Sequence, residues 1–225
     1  METQGGSATA PVSAKPSAVT WVGLFVSLFG MLIIRTAVER LAPNPGPRVV
    51  LIRELVYLAT AAGLLLLVRL GEKRPLTSVG IGTSPVSKSV LWGLGLMFVC
   101  GAAGFVLAKL TGYGGGARAE AFSRLPLGVL TLVVTRAGIV EEVFYRGYAM
   151  TRLREVGLHP AAAFLLPLLI FAFGHYPGGR VNILIALVLG AILAAQFVWR
   201  KDLTANMIGH FLVDFAGNVL PKLLP

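Results

Sequence analysis

Apolar runs long enough to cross a lipid bilayer recur along this chain, and they limit its fold more than any other feature. They cover Thr20–Leu41, about Val49–Leu70, about Lys88–Leu110, Val181–Trp199 and Leu203–Leu220. A hydrocarbon core of about 30 Å takes roughly 20 apolar residues in helical form. Inside it every backbone N–H and C=O must be paired within the protein, which leaves helices or a closed barrel. No strand-like alternation competes with the helical runs. Composition agrees: of 225 residues, 56 % are hydrophobic and only 13 % charged, about half the charge of a soluble domain. The expected fold class is all-α, a polytopic transmembrane bundle of seven to eight helices. The chain is expected to be an integral, multi-pass protein of a prokaryotic cell membrane.

The remaining segments organise the chain. Residues 1–18 are rich in Ala, Ser, Pro and Thr and read as a disordered tail. They do not read as a signal peptide: the early charge is Glu2, and the next apolar run is too long. Residues 19–124 form the N-terminal transmembrane helices and loops, and 125–225 a helical core. The third run holds Gly93, Gly95, Gly101 and Gly104, which suits close helix–helix approach in lipid. The loop Thr111–Arg124 contains Gly114-Gly115-Gly116 without a following Lys-Ser/Thr, so it is a connector and not a phosphate cradle. From Pro126 to about Gly157 one helical pattern runs on, longer than the bilayer core and polar in its second half. Gly138 is where it would break, making eight helices from seven. Pro160–His175 is a short apolar segment.

The net charge of +10 does not signal nucleic-acid binding, because the basic residues lie between apolar segments instead of on one face. Arg69, Lys73, Arg74, Arg152, Arg154, Arg200 and Lys201 read as juxtamembrane anchors to anionic lipid headgroups. Lys and Arg summed over alternate loops give no decisive orientation. The lone Cys100 reads as a buried small hydrophobe.

Ionisable groups inside apolar helices are unfavourable by about 2.5–3.5 kcal/mol each and mark function by default. Here they gather in the last hundred residues: Glu141, Glu142, Arg146, His175, His210 and Asp214. Arg35, Glu39 and Glu54 lie nearer the ends of their runs. Glu142 and Arg146 are four apart and share a helix face. Glu141 is turned about 100° from Glu142, with Tyr145 and Tyr148 on its side. The division of labour is therefore that Glu142 pairs with Arg146 and holds the helix. Glu141 points at a cavity, placed to act as a general base. His210 and Asp214 are also four apart on one face, and Asn206 lies a turn before them. His159, before Pro160, reads as structural. Each of these groups alone is as consistent with a satisfied interhelical contact. Together they supply a base, two imidazoles and a further carboxylate, which is equipment for hydrolysis. An H-E-x-x-H zinc helix, a G-x-S-x-G elbow and a second deep Asp are all missing from the sequence.

The order Glu141-Glu142-x-x-x-Arg146, Phe171-x-x-x-His175, His210-x-x-x-Asp214 resembles the CPBP (Abi) family, the CAAX prenyl endopeptidases similar to the Ras-converting enzyme and the bacteriocin-processing proteins. The resemblance covers about Leu125–Leu220, a four-helix catalytic core. It implies an intramembrane endopeptidase acting on membrane-embedded or lipidated peptide or protein substrates. It implies that Glu141 activates water and His175 assists. His210 and the residue at position 214 would stabilise the oxyanion, while Arg146 holds the helix through Glu142. Family members often carry Asn at the last position. Ionised Asp cannot donate a hydrogen bond, so orienting His210 is the role read for Asp214. Glu, two His and Asp are zinc-ligand types, so a zinc site is the alternative, but the resemblance favours metal-free water activation with no cofactor. A prenylated C-terminal C-a-a-X sequence, a bacteriocin leader or a membrane-protein tail are candidate substrates. Two other readings stand beside the protease. A non-proteolytic scaffold or bacteriocin-immunity protein would share the fold. A proton-coupled transporter would use similar deep groups, although no inverted repeat shows in the hydropathy.

Overall fold

A computed structural model describes residues 17–224. Helix α1, Ala18–Leu41, begins at Ser17, whose side chain accepts the Thr20 N–H at 3.2 Å. Residues 1–16 of the expected tail lie outside the described residues, but Ser17 and Ala18 belong to the helix start. Helix α2, Pro47–Leu66, opens on proline, which lacks the N–H that a first turn leaves unpaired. It continues through a π turn, Leu67–Gly71. Helices α3 (Val86–Thr111) and α4 (Gly116–Ser123) follow. Helix α5 (Leu127–Arg136), a 14-residue π-helical segment (Ala137–Met150) and α6 (Thr151–Glu155) then form one continuous rod. Helices α7 (Pro160–Phe173), α8 (Gly179–Arg200) and α9 (Leu203–Asp214) complete the chain, the last running into a second π turn, Phe215–Val219.

Among the described residues there is no strand, and the helices make eight rods. The eighth does not come from a split at Gly138. It is α4, inside the segment read as a loop. The long rod stays whole at Gly138 because α9 crosses it there. A Cβ at Gly138 would lie 2.9 Å from the Phe211 nitrogen and 3.0 Å from the Met207 oxygen. The glycine therefore serves close packing, and the helix passes from α to π turns at this level. Of the glycines in the third run, Gly93 makes the close contact that was expected. It meets α9 beside Gly209, whose own Cβ would lie 3.1 Å from the Gly93 oxygen. Gly95 and Gly101 face open space. Asp202 fastens the same pair of helices: it caps α9 by accepting the Ala205 N–H at 3.1 Å and accepts the Ser89 hydroxyl of α3 at 2.8 Å.

Among the described residues, four helices are long and apolar enough to cross a membrane: Ala18–Leu41, Pro47–Gly71, Val86–Thr111 and Tyr176–Arg200. Outward-facing Trp21 and Phe25 on α1 and Phe98 and Phe105 on α3 are exposed, as side chains facing lipid would be. The π segment is their opposite. Every residue in it except Ile139 is buried, and it packs against α1, α2, α7 and α9. One expected headgroup anchor is misplaced by the sequence reading. Arg152 is fully buried and donates to Glu72 Oε2 at 2.6 and 3.0 Å and to Oε1 at 3.2 Å, because the loop after α2 brings that carboxylate against it.

Candidate active site

The two adjacent glutamates of the π segment have different surroundings. Glu142 is fully buried and fully engaged. Its Oε1 accepts from Arg146 Nη1 at 3.0 Å and from His210 Nδ1 at 2.8 Å, and its Oε2 accepts from Asn206 Nδ2 at 2.9 Å. Arg146 also donates to the Gly190 carbonyl of α8 at 3.1 Å and lies over the Phe171 ring of α7. This knot joins the rod to α7, α8 and α9. Both oxygens of Glu142 are thus held by protein donors, and Arg146 neutralises it where bare charge would be costly.

Glu141 is held on one side only. Its Oε1 accepts from Arg136 Nη1 at 2.8 Å, whereas Oε2 has no hydrogen-bond partner in the protein and stands 3.9 Å from His210 Nε2. Tyr145 lines the same cavity as Glu141, as the sequence reading has it, but Tyr148 does not. It turns to α1 and donates to Glu72 at 2.7 Å. The π geometry explains both this departure and a partner that the sequence reading missed. Residues five apart are offset by about 140° on an α-helix. With i→i+5 bonding they come nearly one above the other, so Arg136 meets Glu141. A wider turn also leaves i+7 short of two full turns, which swings Tyr148 away from Glu141.

His175 follows the end of α7. Its Nδ1 lies 2.9 Å from the Phe171 carbonyl, and Asn182 Nδ2 of α8 donates to the His175 backbone carbonyl at 2.9 Å. A carbonyl oxygen only accepts, so Nδ1 carries the proton and Nε2 is left for other partners. His210 on α9 repeats the arrangement with Glu142 as acceptor, and its Nε2 faces Glu141 and Asp214. Glu142, not Asp214, therefore orients His210. Asp214 Oδ2 lies 3.8 Å from His210 Nε2 and 3.9 Å from Arg118 Nη2 of α4, too far from either for a direct hydrogen bond.

Space surrounds these groups. A cavity of about 970 Å³ is lined by Arg35, Tyr57, Arg136, Glu141, Tyr145 and His175 among others. A second, of about 80 Å³, is lined by Cys100, Phe171, His175, His210 and Asp214. His175, Asp214, Arg118 and Asn182 border both. Cys100 is buried as expected.

The sequence reading placed Glu54 near a helix end. The structure buries it completely, bonded to Arg53 and Arg136. The adjacent charges Arg53-Glu54, set inside an apolar run, were the signal for it. Arg118 gave no such signal, because it sits on a short helix within an apparent loop. Asn206, read as able to join the His210 face, does join it. Among the described residues, no three His, Cys, Asp or Glu side chains come together as a metal-ligand set.

Residues 123–216 match the family described as Type II CAAX prenyl endopeptidase Rce1-like. That segment holds Glu141, Glu142, Arg146, His175, His210 and Asp214, while Glu54 and Arg118 lie before it. No curated protein and no solved structure matches the chain. The family implies a peptidase acting on a membrane-associated protein or peptide. Residues 123–216 are thus similar to the Rce1-like family of type II CAAX prenyl endopeptidases.

Proposed function

We propose that this protein is an intramembrane endopeptidase in which Glu141 activates the attacking water without a metal ion. The observation that carries this reading is the contrast within the glutamate pair. Both oxygens of Glu142 accept from protein donors, whereas Glu141 keeps Oε2 unpartnered. Oε2 takes a proton from water as the water oxygen bonds to the scissile carbonyl carbon. The resulting oxyanion is stabilised by His210 Nε2–H, in the doubly protonated form of a ring already donating Nδ1–H to Glu142. His175 Nε2 assists in holding the water. The C–N bond then breaks as the leaving nitrogen takes the proton from Glu141. Asp214 and Arg118, at the border of both cavities, shape the substrate channel.

The donor set also supports metal-free chemistry. Glu141 and Glu142 are each already paired with a guanidinium group, which disfavours a further cation on the same carboxylates. A peptide ending in a prenylated Cys-aliphatic-aliphatic-X sequence suits a large cavity within a lipid-facing bundle.

The test is cleavage of such a peptide by the purified protein in detergent, with products identified by mass. The reading expects release of the terminal tripeptide by the native chain and none by Glu141→Ala. Full cleavage by Glu141→Ala would overturn it.

A further inference from the structure

We propose that Glu54 and Arg136 are positioning residues for Glu141, so that helix α2 is a working part of the active site. The inference rests on the reading of Glu141 as the base. Arg136 sits at the last turn of α5 and is buried. It donates from Nε to Glu54 Oε2 at 2.5 Å and from Nη1 to Glu141 Oε1 at 2.8 Å, with its guanidinium over the Tyr57 ring. Glu54 is fully buried, and its other oxygen accepts twice from Arg53, at 2.9 and 2.8 Å. The Arg136 guanidinium is thus fixed by a carboxylate on one edge and an aromatic face below. Its remaining edge pins one oxygen of Glu141. With Oε1 pinned, the carboxylate cannot swing, and Oε2 stays directed toward His210 Nε2.

A purely structural tether would not need this chemistry. A buried ion-pair cluster stabilises a fold no better than well-packed apolar residues of similar volume. Two carboxylates bridged by one guanidinium are instead suited to holding a reactive group to a fraction of an ångström. Arg is required for the bridge, since its planar fork reaches both carboxylates at once and a lysine ammonium does not. Glu54 lies outside the family-matched residues 123–216, so the N-terminal helices supply part of the catalytic geometry as well as membrane embedding.

The test compares the full-length native chain with Glu54→Gln, Arg136→Lys and the double variant Glu54→Leu/Arg136→Met. The probe is a fluorogenic peptide ending in a prenylated Cys-aliphatic-aliphatic-X sequence. The proposal expects kcat to fall about tenfold to a hundredfold in each. It expects KM to stay within about threefold of native, the sign of an interaction made in the transition state. The apolar double variant keeps its thermal midpoint yet shows the same loss of kcat. A folded variant with native kcat, or one changed in KM alone, overturns the proposal. If the single variants unfold, the double variant decides, and if that unfolds too, the pair is a structural tether and the proposal fails. Glu141→Gln is measured alongside. Native-like cleavage by Glu141→Gln removes the base reading, and this inference with it. An inactive Glu141→Gln beside fully active Glu54 and Arg136 variants removes the positioning role alone.

Discussion

Two clusters of buried charge lie on the same long rod, one around Arg152 and one around Glu141 and Glu142. At the Arg152 end, Glu72, Ser78, Glu155 and Tyr148 surround the guanidinium, and the carboxylate of Glu72 takes up Arg152 and Tyr148 together. No cavity opens onto Arg152 among those lined by the catalytic candidates. At the Glu141 level Glu141 Oε2 and Asn206 Oδ1 are left without partners, the former beside open space and the second nitrogens of two histidines. Burial and charge alone therefore do not separate a structural cluster from a reactive one. On the proposed reading, incomplete satisfaction next to open space does.

That comparison can be broken or sharpened by experiment. The largest effect is expected at the closed cluster. Arg152→Ala leaves Glu72 buried without its cation, which destabilises the fold by about 3–5 kcal/mol. The rate per folded molecule stays native, as read by thermal unfolding in detergent beside active-site-normalised cleavage. At the open cluster the effect is on rate. His210→Ala removes the proposed oxyanion donor and lowers kcat about 10² to 10³-fold, and an unchanged kcat would show that the ring acts only as a strut. On the same rod, Gly138→Ala inserts a methyl group against the α9 backbone and destabilises by about 1–3 kcal/mol. Gly101→Ala, facing open space, does not, and equal effects at the two glycines would refute the crossing as described. The smallest effect belongs to the exposed Glu120–Arg124 pair of α4 and its flank. A double-mutant cycle there should give about 0.2–1 kcal/mol at most.

Much of this architecture follows from simple patterns. Five apolar runs and the prolines Pro126 and Pro160 place most helices to within a few residues. The site was readable because unpaired charge in an apolar helix has few explanations, and Glu141, Glu142, His175, His210 and Asp214 do line one region. What escaped depends on features that spacing at 3.6 residues per turn hides. The π turns from Ala137 bring Arg136 under Glu141 and carry Tyr148 off to Glu72. Arg152 looked like a lipid anchor because its partner, Glu72, is eighty residues away in the chain. Glu54 was passed over because position along a run says little about depth when a neighbouring helix covers it. Asp214 was given the task of orienting His210 on spacing alone, whereas the structure gives that task to Glu142.

The central claim is that a carboxylate, and not a metal ion, activates the water. Its most direct test is the initial rate of peptide cleavage by the purified protein after exhaustive chelation, with and without added zinc. The account predicts a rate unchanged by chelation and not raised by zinc. A rate lost on chelation and restored by one equivalent of zinc would contradict it.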